Sequence, residues 1–208
     1  MNIFIVDYGM GNVHSVSNAL TFLGYKSKII SSGNSVCDAD ILIFPGVGAF
    51  GQGMEELRKR GFVDSIKKHV NSGKPFLGLC LGMHLLFDSS TEHGLNEGLG
   101  ILKGKVIKFS DTKTTGLKVP HMGWNSLNIC KEHLIFKDIS KNSYVYFVHS
   151  YFVIPEDKNI IATTTDYGID FCSMVIKDNI FAMQFHPEKS QQIGLKLLEN
   201  FFKEAKKC

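Results

Sequence analysis

Pro75-Phe76-Leu77-Gly78-Leu79-Cys80-Leu81-Gly82 begins as an apolar run and ends as a cysteine held between two glycines. A short apolar run ended by turn residues predicts a parallel strand buried on both faces, here residues 75–79, with a functional turn at its C-terminal end. The same form occurs twice earlier: residues 3–6 run into Asp7, Tyr8 and Gly9, and residues 41–44 run into Pro45-Gly46. Between these strands apolar residues return every three or four positions. Val16, Leu20 and Leu23 mark one such stretch, 13–23, and Leu57, Val63, Ile66 and Val70 mark another, 54–70. Both predict amphipathic helices, with Gly24 and Gly73 standing where C-caps belong.

From about Gly98 the alternation gives way to strand-like segments: 104–109, 124–129, 144–153, 160–165, 171–177 and 180–185. Several should pair in an antiparallel or mixed sheet. A last helix, 192–203, puts Ile193, Leu197, Leu198 and Phe201 on one face, and residues 111–116 read as an exposed loop. The expected fold is α/β, an open mixed and mainly parallel central sheet flanked by helices, with a β-rich second half. At 208 residues and 44% hydrophobic content, a single domain spanning 1–208 is expected.

A net charge of +3, from 23 basic and 20 acidic residues spread along the chain, offers no concentrated field for nucleic acid or a membrane surface. Lys203, Lys206 and Lys207 fit a helix C-terminus, where cations offset the dipole. The N-terminal residues show neither a basic leader nor an export-length apolar stretch. Five widely spaced cysteines fit free thiols in a reducing cytoplasm better than a disulfide framework. Eight histidines without paired ligand spacing argue against a metal. Gly9-Met10-Gly11 lacks the third glycine and the acidic ribose ligand of a dinucleotide fingerprint, so no cofactor is expected.

Gly78-Leu79-Cys80-Leu81-Gly82, followed by a helical run at 83–87, has the form of a nucleophile elbow. A sharp strand-to-helix turn leaves no room for side chains at the flanking positions. The amides opening the helix favour a thiolate, and that of Leu81 can donate to a developing oxyanion. Taken alone, the motif fits a buried structural cysteine equally well. His186-Pro187-Glu188, at the end of the 180–185 strand, decides the reading. There Glu188 can hold the His186 ring in the tautomer that accepts the thiol proton, so Cys80, His186 and Glu188 supply nucleophile, base and orienter.

With Pro45-Gly46-Val47-Gly48, these residues resemble the triad-type, class I glutamine amidotransferases, whose fold is flavodoxin-like. Five blocks in order sharpen the resemblance: 7–12 (Asp-Tyr-Gly-Met-Gly-Asn), 45–51, 120–125 (Pro-His-Met-Gly-Trp-Asn), 146–151 (Tyr-Phe-Val-His-Ser-Tyr) and 184–190. Together they are similar to the glutaminase subunits of imidazole glycerol phosphate synthases over essentially the whole chain. The resemblance implies that Cys80 attacks the side-chain amide of glutamine, that ammonia leaves with a proton from His186, and that water releases glutamate from the thioester. It implies an oxyanion hole from Leu81 and the Gly46-Val47-Gly48 loop, Val47 and Gly48 included. Gly46, His84, Glu92, Ser150 and Tyr151 would hold the substrate. Read without it, Pro-Gly-x-Gly is a plain tight turn and Glu92 a solvated loop carboxylate.

Two positions depart from the family pattern: His84 replaces the usual glutamine four residues after the nucleophile, and Ala182 replaces a usual glycine. His84 lies one helical turn from Cys80. It can be a substitute donor to substrate, a rival base or a satisfied helix histidine. The first is favoured, because His186 already has an orienting carboxylate and none is visible for His84. His186→Ala should then abolish turnover, while His84→Ala should mainly raise the substrate requirement.

Ammonia released into neutral water is protonated and loses the lone pair it needs as a nucleophile. It should therefore pass directly to an acceptor site on another polypeptide. The resemblance implies a (β/α)8-barrel cyclase as that partner in a heterodimer, contacted by Asn12, Trp124, Tyr146 and Lys189. It also implies that partner binding flips the Gly46-Val47-Gly48 loop. From composition alone, the aromatics at 120–125 and 144–152 read as ordinary core. Alternative readings are a paralogous glutaminase feeding another synthase, for instance one that amidinates a surface sugar, another cysteine hydrolase, or a non-catalytic module.

Overall fold

The computed structural model describes residues 1–109 and 117–206. The first half is built from β1 (Ile3–Val6), α1 (Val13–Phe22), β2 (Ser27–Ile30), β3 (Ile41–Gly46), α2 (Phe50–Lys59), α3 (Phe62–Asn71), β4 (Phe76–Cys80) and a single helical turn, α4 (Leu81–His84). Then follow β5 (Phe87–Ser90), β6 (Asn96–Glu97), β7 (Leu102–Lys108), β8 (His121–Ser126), β9 (Asn128–Ile129), β10 (Tyr144–His149) and β11 (Tyr151–Pro155). β12 (Ile161–Asp166), β13 (Asp170–Lys177), β14 (Ile180–Met183) and α5 (Gln191–Ala205) complete the chain. The main sheet runs β2-β1-β3-β4-β14-β13-β11-β7-β5-β6, parallel from β2 to β14 and then mixed. β8 and β10 form a separate antiparallel pair.

The apolar strands are continuous because both faces of the sheet are covered. Alternate residues go to opposite sides. Ile3, Ile5, Ile41, Ile43, Leu77 and Leu79 pack with Val16, Leu20, Leu197 and Phe201 of α1 and α5. Phe4, Val6, Leu42, Phe44 and Phe76 pack with Leu57 and Ile66 of α2 and α3. Fully burying side chains of this size stabilises by about 1.5–3 kcal/mol each relative to leaving them exposed, before the cost of ordering them.

Several expectations are corrected. The helix expected over 54–70 is two helices, broken where Gly61 turns to a left-handed φ of 70°. The apolar periodicity survives the break because both pieces cover one sheet face. The strand expected over 144–153 divides at Ser150: β10 pairs with β8, whereas β11 pairs with β7 and β13 of the main sheet. The 124–129 strand is likewise two short pieces, β8 and β9. The helical run at 83–87 is one turn that ends at His84, and Phe87 begins β5. β2 and β5 had no sequence expectation: β2 is largely half-exposed and β5 is too short to show a period. The loop expected at 111–116 lies outside the described residues. Among the described residues no helix is long and apolar enough to cross a membrane.

Candidate active site

Cys80 ends β4 with φ 52° and ψ −109°, a left-handed backbone that only a closely packed turn would hold in a non-glycine residue. The close approach behind it explains the following glycine. A Cβ on Gly82 would stand 1.8 Å from the Phe44 carbonyl oxygen. Because α4 is a single turn, the help it gives a sulfur anion comes from individual amides, that of Leu81 first, rather than from a long helix dipole.

β14 lies parallel to β4 with Met183 opposite Leu79, so the chain beyond β14 arrives beside Cys80. His186 follows at the start of a short 3-10 turn, Pro187–Lys189. Its Nδ1 meets Glu188 Oε1 at 2.8 Å, with both side chains buried. Its Nε2 has no aligned hydrogen-bond partner among the described residues, yet the ring interacts with the Cys80 sulfur beside it. Burial pulls the His186 pKa down, but the charge and contact of Cys80, then Glu188, outweigh it and raise it above the ordinary histidine value. His186 therefore holds a proton readily when the sulfur is an anion. The backbone is clamped as well: His186 N–H donates to the Tyr146 carbonyl at 2.9 Å, and Ser190 Oγ both donates to the His186 carbonyl and accepts from Tyr146 N–H.

Cys80 is only 6% exposed, but it opens onto a cleft of about 380 Å³ lined by Val47, Gly48, Leu81, His84, Glu92, Val148, His149, Ser150 and Tyr151. Most of the expected oxyanion and substrate residues thus meet around one sulfur. Gly46 does not line this cleft, but it stands opposite Cys80 in the β3–β4 register. It is buried between the Tyr8 hydroxyl and Leu81, and it lines a narrow crevice with Asn12, Pro45, Val47, His186, Glu188 and Lys189. Glu92 is no free loop carboxylate: its Oε2 accepts the first α2 amide, from Phe50, at 2.6 Å. Val47 N–H is taken up by the Met10 carbonyl, to which it donates at 2.9 Å.

His84 has the partner that the sequence did not reveal. Its Nε2 is 2.6 Å from Gln184 Oε1, and Gln184 Nε2 reaches the Cys80 sulfur at 3.9 Å. Burial lowers the His84 pKa to about 4 against the Gln184 bond, so the ring is neutral near pH 7 and unsuited to act as a rival base. Gln184 lay inside a recognised block but had no assigned role. The signal was its strand register, one step beyond the Met183–Leu79 pair.

A second chain of rings joins the far hairpin to the cleft. The Tyr151 carbonyl can only accept, so His149 carries its proton on Nδ1, at 2.8 Å. His149 Nε2 then accepts from His121 Nδ1 at 3.0 Å, and Asn125 Nδ2 faces His121 Nε2 at 3.3 Å. Burial lowers the pKa of both histidines, that of His121 to about 4. On the outer face of the same hairpin, Met122, Trp124 and Tyr144 are exposed and Tyr146 is half-buried. Trp124 and Tyr146 are cross-strand partners with ring centroids 6.0 Å apart. They are not the core residues composition suggests. Asn12 is exposed, and its Oδ1 caps α1 through Ser15 N–H at 3.1 Å.

The imidazole glycerol phosphate synthase subunit HisH of Aquifex aeolicus is 50% identical over 208 residues, covering 100% of this chain and 99% of the relative. The HisH subunit of Syntrophotalea carbinolica is 50% identical over 202 residues, 96% of this chain and 98% of the relative. Two solved structures share the fold at TM-scores of 0.75: a glutamine amidotransferase at 19% identity, covering 98% of each chain, and PurLQS from Thermotoga maritima at 17% identity with the same coverage. The family described as glutamine amidotransferase class-I matches residues 4–205, and this chain belongs to that family.

Proposed function

We propose that the chain is the glutaminase subunit of an imidazole glycerol phosphate synthase, acting in histidine biosynthesis. Full-length identity of about half to HisH subunits favours this over a paralogue serving another synthase. The observation that carries the chemistry is the placement of Cys80 beside an imidazole that Glu188 holds at 2.8 Å.

His186 Nε2 takes the Cys80 proton, and the sulfur attacks the side-chain amide carbon of glutamine. The carbonyl electrons move to oxygen, where Leu81 N–H and an amide of the Gly46-Val47-Gly48 loop receive the charge. On collapse the C–N bond breaks and the His186 proton goes to the leaving nitrogen, giving ammonia and a thioester. Water then adds to the thioester carbon, His186 takes its proton and returns it to the sulfur, and glutamate leaves. Glu92, with one oxygen tied to Phe50 N–H, keeps the other for the substrate ammonium, and the Ser150-Tyr151 segment faces the carboxylate.

The acceptor of the ammonia is a (β/α)8-barrel cyclase, bound as a heterodimer in the cytoplasm. Its docking face is the exposed aromatic side of the β8–β10 hairpin together with Asn12 and Lys189. The crevice bounded by Asn12, Gly46, His186 and Lys189 offers ammonia a way out on that side. The test is a glutaminase assay with and without the cyclase. Glutamate formation that depends on Cys80 and rises with cyclase supports the reading; a wild-type chain inert with its cyclase and nucleotide substrate overturns it.

A further inference from the structure

We propose that His84 is a positioning residue for the Cys80 sulfur, acting through Gln184; the proposal rests on the glutaminase reading of the same site. A side-chain amide can face a sulfur with either end, and the two ends act oppositely: the N–H end stabilises an anion, while the oxygen repels it. Nothing in Gln184 itself decides between them. The 2.6 Å contact to His84 does. If His84 carries its proton on Nε2, only the Gln184 oxygen can meet it, and the amide N–H₂ is turned to Cys80, where Nε2 lies 3.9 Å from the sulfur.

The supports are rigid. Gln184 is fully buried and its backbone N–H is held by the Ser173 carbonyl at 2.9 Å. His84 is the last residue of α4 and is 6% exposed. The charged or titratable groups nearby are Cys80, Glu92 and His149, which line the same cleft as His84, together with His186. Of these, His186 is the proton acceptor and His149 is committed to Tyr151 and His121. The arrangement gives the sulfur a donor besides His186, which stabilises the anion before it attacks the amide carbon and again as it leaves the thioester during hydrolysis. His84 thus acts on the chemical step rather than on glutamine affinity, contrary to the expectation from sequence.

The test compares wild type, His84→Leu, His84→Gln and Gln184→Met in complex with the cyclase. It reads kcat and KM for glutamine, and the rate at which iodoacetamide alkylates Cys80 at pH 7. Leucine should lower kcat and the alkylation rate about tenfold with KM changed less than threefold, about the loss of one charge-assisted hydrogen bond. Glutamine, whose amide can still donate to the Gln184 oxygen, should restore both. Gln184→Met should match His84→Leu, so a failure of either variant to fold leaves the other informative. A rise in KM at constant kcat and unchanged alkylation, in either Leu or Met, overturns the proposal. Because alkylation does not need glutamine, its loss can be separated from a failure of the glutaminase reading, in which even wild type would form no glutamate.

Discussion

The Val47 amide donates to the Met10 carbonyl at 2.9 Å and so is withheld from the cleft that its own residue lines. In the proposed mechanism this leaves the oxyanion hole half assembled, with the Leu81 amide as one donor and the second bonded to Met10. Met10 shares a loop with Asn12, one of the residues assigned to the partner face. A cyclase that shifts this loop weakens the Met10 bond and frees Val47 N–H by a peptide flip. One missing oxyanion donor costs about 100- to 1,000-fold in kcat. Glutamate formation by the isolated chain should thus rise by about that factor on adding cyclase with its nucleotide substrate, mostly in kcat. Equal rates with and without cyclase would contradict the coupling.

In the proposed mechanism Glu188 fixes the His186 tautomer and supports its charge, so its removal should be severe without being absolute. Glu188→Gln should lower kcat by about 100-fold or more, and His186→Ala by at least as much, with Tm of the glutamine variant within a few degrees of wild type. Steady-state kinetics in the complex checks both. Near-normal kcat in Glu188→Gln would show that another group orients the ring.

Acid should unfold the protein in a way traceable to His84. Its folded pKa of about 4 lies below the ordinary 6.5, so the unfolded chain binds the proton first. Stability is then full above pH 6.5 and is lost as pH falls towards 4, by about 3 kcal/mol for this ring. His121 and His149 have the same sign, whereas His186, raised, loses its contribution only as pH rises. Urea unfolding of His84→Gln between pH 7 and pH 4 should show a shallower decline than wild type. Parallel curves would mean the buried ring is not neutral.

Trp124 is 45% exposed, so its loss should spare the fold and damage docking. Trp124→Ala should weaken cyclase affinity by about 30-fold or more, as expected for a central aromatic anchor, and leave Tm nearly unchanged. Titration calorimetry and thermal melts separate the two. A large drop in Tm with unaltered affinity would return this residue to the core.

The parallel strands and the elbow were legible because they are local. A run buried on both faces is apolar throughout, and a turn as tight as that at Cys80 demands glycine at Gly82. The division of the 144–153 segment was not legible. Apolar residues continue through Ser150, and only partners distant in sequence, β8 on one side and β7 on the other, show that the strand changes sheets. The same limit hid Gln184 and Met10. Each acts through a contact with a residue far along the chain, His84 and Val47 respectively, and no periodicity records such a contact. The exposure of Trp124 was hidden because an aromatic on a docking face and one in a core have the same composition.

The central claim is that the Cys80 sulfur is the nucleophile that glutamine meets. The most direct measurement is incubation of the complex with a glutamine analogue that alkylates thiols, followed by peptide mass spectrometry. The account predicts one label, on Cys80, formed in step with loss of glutaminase activity, slowed by free glutamine and absent in Cys80→Ala. Label on Cys37 or Cys130, the exposed thiols among the described residues, with Cys80 unmodified and activity lost, would contradict it.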